Sequence, residues 1–134
     1  MANITINSKR MYSDFDLNFV RHPIRKDINV LKDEKSVINS IKNLVLINYY
    51  ERLFNPSIGC NVKKLLFENI DDITGIQIQQ EIIDTINNFE PRVNITNVLV
   101  SPAPDDNGYN ITISFYVKSI SNPITISFFL ERVR

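Results

Sequence analysis

Phe89-Glu90-Pro91-Arg92 is the stretch on which the fold turns, because a helical pattern runs up to it and alternating strands follow it. Proline removes a backbone donor and drives the residue before it toward extended backbone, so the helix is predicted to end at or just before Glu90. In a chain that continues extended, Glu90 and Arg92 project to the same side across the proline. That places a two-charge device at the seam between two structural layers. By itself it has two readings: a helix stop with a local ion pair, or a charged corner presented to a partner.

Upstream, Thr74 opens a predicted helix, with Gln77 completing a capping-box pattern. Ile78, Ile82, Ile83, Ile86 and Phe89 line one apolar face, and the helix from Thr74 to Phe89 would be about 24 Å long. An earlier helix is predicted from Glu34 to Tyr50. Asp33 is its N-cap, and Val37, Ile38, Ile41, Leu44, Val45 and Asn48 fall at helical spacing. Pro56-Ser57-Ile58-Gly59 then reads as a turn into a short helix from Val62 to Glu68, burying Val62, Leu65, Leu66 and Ile70. Residues 1–32 show no sustained period. Asp14-Phe15-Asp16-Leu17-Asn18-Phe19 alternates, which suits an extended arm whose Phe15, Leu17 and Phe19 lie against the domain or a neighbour until His22-Pro23 ends it.

Downstream the period changes from 3.6 to 2. Val93 to Val100 forms one predicted strand; Tyr109, Ile111, Ile113, Phe115 and Val117 alternate in a second, and Ile124, Ile126, Phe128 and Leu130 in a third. Residues 102–108 read as an exposed loop and Ile120-Ser121-Asn122-Pro123 as a tighter return. The expectation is an α+β protein of three helices packed on a C-terminal, mainly antiparallel three-stranded sheet, with an extended N-terminal arm. Residues 1–134 form one domain in this reading, with the arm at 1–32, a helical layer at 33–90 and the sheet at 91–134.

The opposite face of that sheet is unusual. No charged residue occurs between Asn107 and Val117 or between Ser119 and Leu130, and the outward side reads Asn110, Thr112, Ser114 and Tyr116, then Thr125, Ser127 and Phe129. Natural sheets guard exposed edges with lysine, proline or bulges. A charge-free Ser/Thr face fits a partner that covers it or adds a strand.

The chemistry-bearing residues of the chain form no evident catalytic or ligand-binding motif. Fifteen basic and fifteen acidic residues balance to zero net charge, which removes the broad electrostatic case for nucleic acid. Arg21, His22, Arg25 and Lys26 form the best basic cluster, offset by Asp14, Asp16 and Asp27. Apolar runs such as Leu44-Val45-Leu46-Ile47 are far shorter than the roughly 20 residues of a membrane span. Ser8, Lys9 and Arg10 are not followed by an apolar segment, so export by a signal peptide is not expected. One cysteine, Cys60, and one histidine, His22, do not make a zinc cage, and Cys60 reads as core filling. The three glycines are isolated, so no phosphate loop is present, and no cofactor or metal is expected. Glu51, Glu68, Asp71, Asp72, Glu81 and Glu90 supply carboxylates without an evident catalytic pair. Glu51 precedes Arg52 and Glu90 lies two residues from Arg92, and a nearby guanidinium keeps a carboxylate ionised, the wrong direction for a general acid.

Several segments together resemble the small baseplate wedge proteins of contractile-tailed phages. They are Tyr12-Ser13-Asp14-Phe15-Asp16 with Phe19, Ser40-Ile41-Lys42-Asn43-Leu44, Glu51-Arg52-Leu53-Phe54-Asn55-Pro56-Ser57-Ile58-Gly59-Cys60, Leu66-Phe67-Glu68-Asn69 and Phe89-Glu90-Pro91-Arg92-Val93. The same family includes baseplate components of type VI secretion systems and of phage-tail-like bacteriocins. The resemblance implies a sheath initiator, a structural protein without a catalytic step, in the tail baseplate of a virion assembled in the host cytoplasm. It implies that Glu90, Pro91 and Arg92 contact the helical core bundle of other wedge proteins, and that Glu51 and Arg52 support a turn or a subunit contact. It also implies that the strands carrying Tyr109, Ile111, Ile113, Phe115, Ile124, Ile126 and Phe128 face sheath or tube-proximal neighbours, with neither nucleic acid nor a membrane span as partner. Leu53 stands where proline is common in the family. Some members have been labelled lysozyme-like, and a peptidoglycan-degrading hydrolase of the tail is the alternative reading.

Overall fold

Pro91 marks the boundary between layers in the computed structural model, which describes residues 12–16, 18–118 and 120–132. Before it come β1 (Ser13–Phe15), β2 (Val30–Lys32), α1 (Glu34–Leu46), α2 (Val62–Leu65) and α3 (Asp72–Phe89). After it come β3 (Val93–Ala103), β4 (Gly108–Val117) and β5 (Pro123–Glu131). The three helices pack on an antiparallel sheet of order β3-β4-β5, and β1 and β2 pair as a separate two-stranded arm. This is the expected α+β architecture. Leu17 lies outside the described residues, and Phe15 and Phe19 of the arm are exposed.

Alternation decides which strand residues face the helices. Ile111, Ile113, Phe115, Val98 and Ile126 meet Val37, Ile41, Val45, Ile78, Ile82 and Ile86 in one buried core. Cys60 is buried there too, as expected of a core-filling thiol, and burial pushes its pKa up. Among the described residues no helix is long and apolar enough to cross a membrane.

Element ends differ from the sequence reading where tertiary contacts intervene. α1 stops at Leu46, not Tyr50: Ile47 turns extended, its carbonyl accepts from the Cys60 amide at 2.8 Å, and Tyr50 adopts a left-handed φ of 69°. Asp33 stands at the N-cap position but with φ 48° and no side-chain cap bond. It ties the helix start to the arm instead, donating its N–H to the Tyr12 carbonyl at 2.9 Å and accepting from the Tyr12 amide at 3.4 Å. α2 covers only Val62–Leu65. β3 runs on through Pro102 to Ala103, shortening the expected loop, because Pro102 and Ala103 pair with Tyr109 and Gly108.

α3 begins two residues earlier than expected. Asp71, extended at φ −143°, accepts from the Thr74 amide at 2.7 Å and is the N-cap; Thr74 sits inside the first turn, where it is buried. That backbone hydrogen bond, first among its causes, holds the Asp71 carboxyl below the usual carboxylate range. A group depressed on folding contributes stability above its unfolded pKa and loses it as pH falls through its folded pKa. Asp71→Ala should therefore lower the melting temperature at neutral pH, and the difference from the parent should shrink in acid, as thermal melts across pH will show.

Candidate functional site

Pro91 turns the chain so that the two charges flanking it meet on the body side of the corner. Arg92 donates from Nε to Glu90 Oε1 at 2.5 Å and from Nη2 to Oε2 at 2.6 Å, a fork-on-carboxylate pair. Ser40, on the α1 face beside Ile41, donates its hydroxyl to Glu90 Oε2 at 2.6 Å. Glu90 is only 3% exposed, whereas Arg92 is half-buried, with its guanidinium 5.0 Å from the centroid of the Tyr12 ring. Burial alone would raise the Glu90 carboxyl; the hydrogen bonds from Arg92 and Ser40, with the Arg92 charge, outweigh it and hold the group below the usual range. Hydrogen bonding to Glu90 raises Arg92 in turn.

Of the two charges of the corner, Glu90 is buried in this chain and Arg92 is half-buried. Three donors converge on the Glu90 carboxylate on the body side of the corner, at the wall of a cleft. Arg92 and Pro91 retain surface. They line a cleft of about 380 Å³ together with Asp14 of β1, Asn43 of α1 and Arg52.

Arg52 reaches this cleft from the segment after α1. Glu51 shapes that segment by accepting from the Asn48 amide at 2.9 Å and from Asn48 Nδ2 at 2.8 Å, with Lys63 at 3.6 Å. These contacts, the Asn48 backbone bond first, lower the pKa of its exposed carboxyl. Arg52 is exposed and makes no hydrogen bond or ion pair with a described residue. The fold thus brings residues of two sequence-predicted groups, 38 or more apart by number, into one cleft. Sequence reasoning missed Tyr12, Asp14, Ser40 and Asn43 as site residues. A signal existed for α1, where Ser36, Ser40 and Asn43 form a polar stripe beside the apolar face at helical spacing.

The sheet residues named from the sequence divide between the core and its margin. Tyr109, Ile111, Ile113, Phe115 and Ile126 are buried in this protein's own core, and Ile124 and Phe128 are half-buried on the same face. β4 is the central strand, so its backbone is paired on both sides and cannot receive another strand. Tyr109 is occupied as well: its hydroxyl accepts from the Asp71 amide at 3.2 Å and lies 3.2 Å from the Asn69 carbonyl, fastening the sheet to the start of α3. The surface left for a partner is the other face and the outer edges. Across the sheet that face reads Asn97, Ser114, Thr125, then Leu99, Thr112, Ser127, then Ser101, Asn110, Phe129, with no charge. Ser114 and Thr125 pair through their hydroxyls at 3.1 Å, and Thr112 and Ser127 at 3.2 Å.

No described strand pairs with the outer edge of β3 or of β5. β3 guards its edge with a bulge between Ile95 and Asn97 and with Pro102. β5 carries proline only at its first residue and no charge before Glu131.

A family model described as baseplate wedge protein gp25 matches residues 31–121. Baseplate wedge protein gp25 of Enterobacteria phage T4 is 30% identical over 123 residues, which are 92% of this chain and 88% of that one. Among solved structures, a provisionally named tail lysozyme from Geobacter sulfurreducens superposes with a TM-score of 0.72 at 23% identity, over 79% of this chain and 97% of its own. A chain of the anti-feeding prophage baseplate gives 0.71 at 21% identity, over 83% and 89%. A chain of the post-contraction pyocin R2 baseplate gives 0.55 at 13%, over 89% and 99%. At these identities the structural likenesses establish a shared fold.

Proposed function

This chain belongs to the gp25 baseplate wedge protein family, and from that premise we propose that it is a structural subunit of a contractile-tail baseplate wedge, built into the virion tail in the host cytoplasm. Its two surfaces take different neighbours. The cleft with Arg52, Pro91 and Arg92 docks on the helical core bundle of other wedge proteins, while the C-terminal sheet starts the sheath by accepting a strand from a sheath or tube-proximal subunit.

The observation that carries the sheath role is the outer edge of β5, which no described strand pairs, beside an uncharged sheet face. A strand can add there by backbone hydrogen bonds at no cost in buried charge. Lysine on such an edge is the usual deterrent to strand addition. Thr125→Lys with Ser127→Lys changes two exposed side chains, so the double variant should fold and enter the wedge yet fail to start sheath assembly, as negative-stain microscopy of assembled tails will show. Amide exchange is the companion measurement. β5 amides should gain protection on assembly while β4 amides, already paired on both sides, should not; unchanged β5 protection would overturn the role.

We infer no catalytic step. Glu51 and Glu90 are both held ionised, whereas cleaving a glycosidic bond needs a carboxyl raised enough to donate a proton. Peptidoglycan should not be turned over by this protein, and turnover that fell in Glu51→Gln, Glu68→Gln or Glu90→Gln would reverse that inference.

A further inference from the structure

The arm leaves the body as a pair of short strands, and two strands alone are marginal in water. Its far end is nevertheless built. The His22 amide donates to the Asp27 carbonyl at 2.8 Å and the Lys26 amide to the His22 carbonyl at 2.9 Å. His22 Nδ1 accepts from the Ile24 and Arg25 amides at 3.3 and 3.2 Å, and Arg21 Nε donates to the Lys26 carbonyl at 3.1 Å. Along this turn runs a groove of about 290 Å³. Ile24, Ile28 and Val30 form its apolar side, all exposed and Ile24 85% so, and His22, Arg25 and Lys32 flank them. Among the described residues no carboxylate lines the groove. Neither Arg25 nor Lys32 makes an ion pair with a described residue, and the neighbouring Asp27, which accepts from the Ile28 amide at 2.7 Å, is not among the groove's lining residues.

We propose that this groove binds an acidic amphipathic segment of a neighbouring protein, with its apolar side chains on Ile24, Ile28 and Val30 and its carboxylates on Arg25 and Lys32. The chemistry selects this occupant over two others. Single-stranded nucleic acid wants aromatic faces to stack bases on, and a duplex offers charged phosphates with nothing apolar to cover Ile24, Ile28 and Val30. A second copy docked about a two-fold axis would set Arg25 and Lys32 against their own like charges. The site is separate from the cleft and from β5, so it does not depend on the wedge role.

The test titrates the full chain with a peptide alternating glutamate and leucine, with its lysine-for-glutamate twin, and with a DNA duplex, following backbone amides by NMR. Saturable shifts confined to residues 22–32 with the acidic peptide are expected, with the lysine twin about tenfold weaker or worse. The double variant Arg25→Glu/Lys32→Glu and the single variant Ile24→Asp should each weaken the acidic peptide about tenfold or more. Those residues are at the surface, so an unchanged melting temperature confirms that the variants fold. Equal binding of the twin peptides, shifts outside the arm, no shifts at all, or saturable DNA binding at the same amides would each overturn the proposal.

Discussion

Arg92→Ala is expected to destabilise the protein by about 3 kcal/mol in urea unfolding, the lower end of the cost of breaking a buried ion pair. Glu90 is 3% exposed, so the variant leaves a largely buried carboxylate that keeps only the Ser40 hydroxyl. Glu90→Gln should cost less, because the amide carries no charge and Arg92 retains some contact with water. The pH dependence should change sign as well. In the parent protein the Glu90 carboxyl is held low, so its contribution is present above the unfolded pKa and fades as pH falls through the folded one. In Arg92→Ala burial acts with little opposition and raises the carboxyl. Its contribution to stability should then fall as pH rises from the unfolded pKa toward the raised one. Urea midpoints of both proteins from acid to neutral pH read this directly, and parallel curves would show that Arg92 does not hold the charge.

Gly59→Ala should destabilise by about 3 kcal/mol, as overpacking against rigid neighbours does. A Cβ at Gly59 would stand 2.5 Å from the Tyr49 nitrogen and 2.6 and 2.7 Å from the Asn48 carbon and oxygen. All three are backbone atoms, so no side chain can rotate away. The approach is fixed by the bond from the Cys60 amide to the Ile47 carbonyl, which closes the segment carrying Glu51 and Arg52. Forcing it open should also displace Arg52 from the cleft. Gly75→Ala is the opposing control. There a Cβ meets Tyr109 Cε1 at 3.7 Å and Val100 Cγ1 at 3.9 Å, ordinary packing distances, within the first turns of α3. That variant should gain about 0.5–1 kcal/mol by relieving the conformational entropy of a helical glycine. Denaturant titrations of the two should move in opposite directions.

Much of the fold was legible because its signals are local. The change of period at Pro91, the isoleucine stripe of α3 and the alternation of β4 and β5 each follow from a few adjacent residues. Ends and caps were read less well. Asp33 and Thr74 look like caps by residue type, but Asp33 is recruited by Tyr12 and Thr74 is preceded by a better-placed acceptor in Asp71. α1 ends early because its last predicted turn is exchanged for contacts with residues 56–60. Of the site, the pairing of Glu90 with Arg92 was visible in their spacing. The direction of that pair was not, since it is set by Ser40, fifty residues away, and by the ring of Tyr12.

By itself, the sequence determined the α+β architecture, the seam at Pro91, the uncharged sheet face and the resemblance to the wedge family. These properties rest on periodicity, on proline geometry and on residues that need only be counted in order. The tertiary structure alone decided that Glu90 is buried while Arg92 and Arg52 share a cleft, that β4 is paired on both sides while no described strand pairs with the outer edge of β5, and that the arm carries a groove flanked by Arg25 and Lys32. Each depends on which distant elements become neighbours. A carboxylate faces inward or outward according to the donors brought to it, and a strand can accept a partner only if the fold leaves one edge unpaired.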